Sequence, residues 1–294
     1  MLLGLALVQC ERAYDAEWAG LISPAPSHVV APVESSQTQP VELAGPCPPE
    51  MALVVQAASV GFCVDRHEAQ LVEIVDGTRV PHPPNQRPRA GARYEATSKA
   101  DVLPQAYVSR LEASSACQAA GKRLCSRQEW MFACRNHGRT PFPYGGRYED
   151  GHCNVGKPHL LSLVFPDRVG RLRYEEDFND PSLHGHMSLL TATGGHRKCS
   201  TELGVFDMVG NLHEWVSDNA TAHVIASVLA EVPRQWQPAV PGNGIFMGGF
   251  FSTRHEHGPG CLFTTLAHEP AYHDYSIGFR CCRPTNGRLE GGVK

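Results

Sequence analysis

Eleven cysteines are dispersed through 294 residues, at positions 10, 47, 63, 117, 125, 134, 153, 199, 261, 281 and 282. No two of them form a C-x-x-C pair, so a zinc knuckle does not explain them and a disulfide framework does. Disulfides persist in oxidising compartments, which makes the chain read as exported, periplasmic or displayed at a cell surface. Setting Cys10 aside leaves ten cysteines, an even number that can pair completely.

The start of the chain fits that setting. Met1 to Val8 is apolar and runs into Gln9 and Cys10. It resembles a shortened lipoprotein signal, although it lacks a basic first region and carries Gln9 where a small residue is expected. Three readings stay open: a lipid anchor on Cys10, a plain secretory segment, and a misassigned start. The apolar run is far shorter than the ~20 residues of a membrane span. Lys and Arg number 26 against 30 Asp and Glu, a formal charge of −4 with no basic stripe, which disfavours nucleic acid as a partner.

Residues 11–46 are rich in Ala, Pro, Ser and Val without a sustained period and read as an extended tether. From Cys47 the pattern changes. Met51–Val55 and Gly61–Asp65 are short apolar runs around a small-residue turn, a hairpin that Cys47 and Cys63 would staple. A loop is expected from Pro81 to Gly91. Two helices then carry capping boxes, Ser109–Glu112 and Ser126–Glu129, in which the serine hydroxyl accepts an amide N–H and the glutamate reaches back to the cap amide. The first should end at Gly121. The second should end near Arg135 and turn Trp130, Phe132 or Ala133, and Cys134 to the core. Beyond it the chain reads as Gly-, Pro-, Asn- and His-rich loops with short strands, the last over Ile277–Cys282.

The ordered series Tyr107–Ser109, Ala119–Leu124, Gln128–Trp130, Ala133–Arg135, Pro143–Gly145, Cys153–Val155, Gly204–Asn211, Glu214–Trp215, Gly248–Gly249 and Gly278–Arg280 resembles the formylglycine-generating enzyme family, the sulfatase-modifying factors, over residues 47–284. The resemblance implies an α+β domain with little regular secondary structure, disulfide-rich and related to the C-type lectin fold. It gives a layout of a signal-like segment (1–10), the tether (11–46), the domain (47–286) and a tail (287–294). It also implies the pairs Cys134 with Cys261, Cys117 with Cys281 or Cys282, Cys125 with the other of those two, and Cys153 with Cys199.

Active members of that family oxidise a sulfatase cysteine to formylglycine with oxygen, using copper(I) between two thiolates, a soft ion on soft ligands. At the matching positions this chain has Phe250 for the family's serine, Thr253 for the first cysteine and Gly258 for the second. Copper is therefore not expected. The leading expectation is a non-catalytic module that binds a protein, peptide or glycan, or serves a structural role.

Other cofactor expectations follow from the same resemblance. The turn Val209–Trp215 is similar to the family's calcium turn, with Val209, Gly210, Leu212 and Glu214 as ligands and Asn154 with Val155 in a second site. The competing reading has Asn211 and Glu214 merely cap and brace the turn. His213 departs from the aromatic residue usual there. The alternative catalytic reading uses His255, His257 and His268, with His273 nearby, as a zinc or non-haem iron centre. It competes with a bland one, since 15 histidines are spread through the chain and His268 and His273 could bond core backbone instead. No G-x-S-x-G elbow occurs, and Thr193–Gly195 lacks the lysine and length of a phosphate loop. Trp130 and Trp215 read as core aromatics.

Overall fold

The computed structural model describes residues 45–286 apart from 58–59, 169, 233–238 and 255–259, and the backbone alone of 174 and 175. The expectations for Cys10, His255, His257, Gly258, residues 11–44 of the tether and the 287–294 tail lie outside these residues. The chain divides into a unit of residues Met1–Glu42 and one of Leu43–Lys294, and only the second is described.

Local sequence chemistry accounts for the first elements. β1 (Met51–Ala57) and β2 (Val60–Asp65) pair antiparallel as the expected hairpin. β3 (Ala69–Val75) turns through Asp76 and Gly77, both left-handed at φ 49° and 77°, into β4 (Thr78–Pro81). An Asp-Gly pair suits such a tight hairpin turn because its twist matches that of the strands. β5 (Tyr94–Ser98) lies on the other side of β3, completing a sheet of order β4-β3-β5.

Both capping boxes form. α1 (Arg110–Ala119) has the Glu112 amide donating to Ser109 and the Ser109 amide donating to Glu112; α2 (Arg127–Cys134) repeats this between Ser126 and Glu129. α1 stops at Ala120, and Gly121 follows at φ 69°, a backbone state that ends helices cheaply only in glycine. Trp130, Met131, Ala133 and Cys134 are buried, with Phe132 at the margin.

Between the helices β6 (Arg123–Leu124) joins a four-stranded sheet of order β1-β2-β11-β6, in which β11 is Cys281–Pro284. Short helices α3 (Leu160–Val164) and α4 (Tyr174–Asp177) interrupt the long loops. β7 (His213–Asn219) pairs with β8 (Gly244–Met247), which pairs with β9 (Thr264–Thr265). The expected single strand Ile277–Cys282 is instead two. β10 (Ile277–Phe279) runs parallel to β7, while β11 (Cys281–Pro284) crosses to lie between β2 and β6. Arg280 is the break, because its guanidinium is drawn inward rather than along either sheet.

α5 (Ala222–Glu231) also corrects the expectation of loops beyond the second helix. Its Thr221 cap accepts from the Val224 amide, but the box lacks a glutamate at its third position, and Val and Ile within it favour strands. None of the helices described is long and apolar enough to cross a membrane.

β7 separates two cores by simple alternation. Trp215 packs with Leu71, Phe246, Phe279 and Cys281, whereas Val216 packs with Trp130, Ile245 and Met247. A third cluster joins Tyr107, Leu160, Leu161, Leu183, Leu212 and Phe251. Among the described residues, the disulfides Cys125–Cys282, Cys134–Cys261 and Cys153–Cys199 lie within the first core, Cys117–Cys281 within the second, and Cys47–Cys63 staples the start of the domain to β2. Each contributes ~2–4 kcal/mol, chiefly by restricting the unfolded chain.

Candidate functional site

The segment after β8 builds the candidate site. Gly248 and Gly249 take φ 83° and 74°. A Cβ on Gly248 would stand 2.5 Å from the Met208 carbonyl oxygen, so only glycine lets the chain pass this close. The turn that follows is closed by Thr253, whose amide donates to the Phe250 carbonyl at 2.8 Å and whose Oγ1 accepts from the Phe250 amide at 2.9 Å. Its carbonyl takes the Gly156 amide, and the Phe251 amide donates to Asn211.

Facing this turn are Phe142 and Tyr144, stacked at 5.5 Å, together with Tyr148, Cys153 and Phe263. The crevice they enclose with Thr253 and Arg254 has about 20 Å³ of space, room for about one water molecule. Thr253 is buried, and every cysteine from 47 to 282 is in a disulfide. A neutral hydroxyl already bonded to backbone is no ligand for a soft ion, so the described residues do not fit copper(I) here. Among the described residues no group of three or more His, Cys, Asp or Glu converges to hold any metal.

Behind the crevice lies a buried polar network. Glu214 faces Arg280, which donates to both its carboxylate oxygens at 2.6 Å, and Trp130 Nε1 donates to Oε2 at 2.7 Å. Arg280 also donates to the carbonyls of Asp65 and Phe206. Neither Arg280 nor Glu214 is more than 1% exposed. Glu68 accepts from the Asn211 side chain at 2.6 Å and the Leu212 amide at 3.0 Å. Burial, with Asp207 and Glu214 close by, pushes the Glu68 carboxyl well above its usual range. Asp207 takes the Gly194 amide at 2.6 Å, and burial raises it to about 6.

This network bears on the calcium residues. Glu214 has three of its roughly four lone-pair positions taken by Arg280 and Trp130, so its carboxylate is turned to a guanidinium rather than to an open position. Gly210 sits at φ 80° where a Cβ would meet the Asn154 carbonyl at 2.3 Å. Val209 and Leu212 are buried beside it. Asn154 differs. Its Nδ2 donates to Leu189 and to Asn211 Oδ1, which fixes the amide orientation, and its Oδ1 is buried without a hydrogen-bond partner. A buried oxygen with no donor beside the Val155 backbone fits a hard cation.

Of the histidines expected in a metal centre, His268 and His273 are among the described residues. His268 is packed on Tyr272 at 4.0 Å and on Phe246 at 5.6 Å, and burial lowers its pKa to about 4. His273 offers its carbonyl to Asn179 and keeps a buried Nδ1 without a partner. His213 lies among Phe246, Phe250 and Phe263, at 4.8, 5.0 and 5.4 Å, with its pKa lowered to about 3 by burial and by nearby His268. Sequence reasoning missed Glu68, which stands far from Glu214 in the chain, the buried role of Asp207 within the Gly204–Asn211 motif, and the aromatic wall of the crevice. Tyr144 was legible only as part of the Pro143–Gly145 motif.

No curated protein matches the chain. Among solved structures, the crystal structure of CarF is 14% identical with a TM-score of 0.41, over 77% of this chain and 87% of CarF. The Major Tropism Determinant I1 and P3c variants are 13% and 12% identical with TM-scores of 0.42 and 0.40. Each of those matches covers 82% of this chain, which spans 54% of the determinant's length. The family model of the sulfatase-modifying factor enzyme 1-like domain matches residues 56–285. With well over half its length matched, this mixed α+β, five-disulfide chain belongs to the sulfatase-modifying factor enzyme 1-like domain family.

Proposed function

We propose that this chain is an exported family member without the copper–thiolate oxidase centre, acting as a binding or structural module for a protein, peptide or glycan. One observation carries the reading: Thr253, at the position of the family's first active cysteine, spends its hydroxyl on closing its own turn. The complete pairing of Cys47 through Cys282 supports it, because no thiol is left among the described residues to take a substrate sulfur or a soft metal. The disulfides support export to an oxidising compartment. A lipid on Cys10 would tether such a domain through the 11–46 segment.

The decisive assay incubates the protein with copper and a cysteine-containing sulfatase peptide and follows the mass loss that accompanies formylglycine. No conversion is expected. Turnover that persists in Thr253→Ala and disappears in Cys261→Ser would overturn the reading. We assign a hard cation, calcium by preference, to Asn154 and Val155, on the strength of the unpartnered Asn154 oxygen. Glu214 serves as the counter-ion of Arg280.

A further inference from the structure

A second concavity, of about 450 Å³, lies between α2 and α5. Its size falls within the range of small-molecule sites. One wall is the face of α2 that carries Arg127 and Met131 and continues one turn on to the capping residue Arg135, with Phe132 beside it; the other is α5 with Val224, Ser227 and Glu231. Eight residues of helix separate the arginines by about 12 Å along the axis.

The two cations are in different states. At one end Arg127 is neutralised, its guanidinium on Glu231 and its amide on Asp218. At the other, Arg135 donates Nε to the Thr140 carbonyl and has no carboxylate partner among the described residues. Arg127 also retains a guanidinium N–H, at Nε, without an acceptor. Asp218 and His223 also line the groove, Asp218 taking the Arg127 backbone amide at the Arg127 end, so the unpaired positive charge is confined to the Arg135 end, next to a floor of sulfur and aromatic surface between the arginines. Planar guanidinium groups suit carboxylate, sulfonate or phosphate heads, and methionine adapts to an irregular apolar body.

We propose that the groove between α2 and α5 binds a small organic anion, its charged head on Arg135 and its apolar body along Met131, Phe132 and Val224. The site is separate from the Thr253 crevice and does not rest on the loss of oxidase chemistry.

Anilinonaphthalene sulfonate is the probe, an aromatic monoanion whose fluorescence rises in apolar surroundings. The full chain should bind it saturably at one site. Arg135→Gln should weaken binding about tenfold, the loss expected for one charge-assisted contact. Arg135→Lys should fall between the two, and Ser227→Trp, which fills the groove from α5, should abolish binding. Arg79→Gln, in a different groove bounded by Glu95 and Lys99, should leave it unchanged. Octanoate should displace the probe and octylammonium should not. Unchanged affinity in Arg135→Gln, equal loss in Arg79→Gln, or equal displacement by octylammonium would each overturn the proposal. If Arg135→Gln fails to fold, Ser227→Trp with a native melting midpoint decides the matter, and retained binding in it refutes the site.

Discussion

The Thr253 crevice and the Arg280–Glu214 network lie in the same domain and put their polar groups to opposite use. In the network, a guanidinium and three carboxylates are withdrawn from water and nearly every donor has an acceptor. In the crevice the polar content falls to one bonded hydroxyl beside Arg254 and the tyrosine rings, around space for little more than a water. On the proposed reading the family's chemistry belongs to the crevice, yet in this chain the charge and its costs are concentrated in the scaffold. A buried ion pair is costly to break because either partner alone is left as an uncompensated charge, whereas a hydroxyl that only closes a turn is replaceable.

The largest expected effect tests that contrast directly. Arg280→Met leaves Glu214 buried beside Glu68 and Asp207, and should destabilise by about 3–5 kcal/mol in a denaturant titration. Thr253→Ala should cost no more than about 1 kcal/mol. If the two losses were equal, the crevice would be as structural as the network and the contrast would dissolve.

His213 packs on Phe263, which also lines the crevice, so pH sharpens the comparison. Its pKa falls from 6.5 unfolded to about 3 folded. The unfolded state therefore binds more protons between these values, and the contribution is complete above 6.5 and lost as pH falls through that range. Asp207, raised to about 6, acts with the opposite sign: its contribution is present below 3.8 and lost as pH rises through 6. The two partly cancel in the wild type. His213→Phe should remove the acid-side loss, gaining about 2 kcal/mol on the wild type at pH 5 and little at pH 7.5. Parallel pH curves for the two proteins would show that His213 is not held neutral.

Smaller effects probe the edges. Ser126→Ala removes one capping box beneath both regions and should cost about 1 kcal/mol, read as a shift in the denaturation midpoint. Chelation of calcium should lower the melting temperature by roughly 1–2 °C if weak binding at Asn154 contributes a few tenths of a kcal/mol. That difference should vanish in Asn154→Ala and persist in Glu214→Gln measured against its own apo form. The reverse result would return the ion to the Val209–Glu214 turn.

Legibility in the sequence followed the range of the interaction. The hairpin β1–β2 and the two capped helices rest on contacts within a few residues, Ser109 to Glu112 and Ser126 to Glu129, so their residues announce them. α5 was hidden because its cap is only half a box and its residues suit a strand as well. The candidate site was legible as a position, Thr253 after twin glycines, through likeness to a family motif. Its aromatic wall was not, since Tyr144 and Thr253 are more than a hundred residues apart in the chain.

By itself the sequence determined that Thr253 and Gly258, not cysteines, follow the twin glycines, and it determined the supply of cysteines for a covalent frame and the local starts of α1 and α2. Only the tertiary structure decided that Glu214 bonds Arg280 and Trp130, that Ile277–Cys282 splits between two sheets, and that Arg135 has no carboxylate partner among the described residues. A short-range contact is written into neighbouring residues. The partner of a buried charge depends on which distant segments exclude water around it, and that is settled when the chain closes.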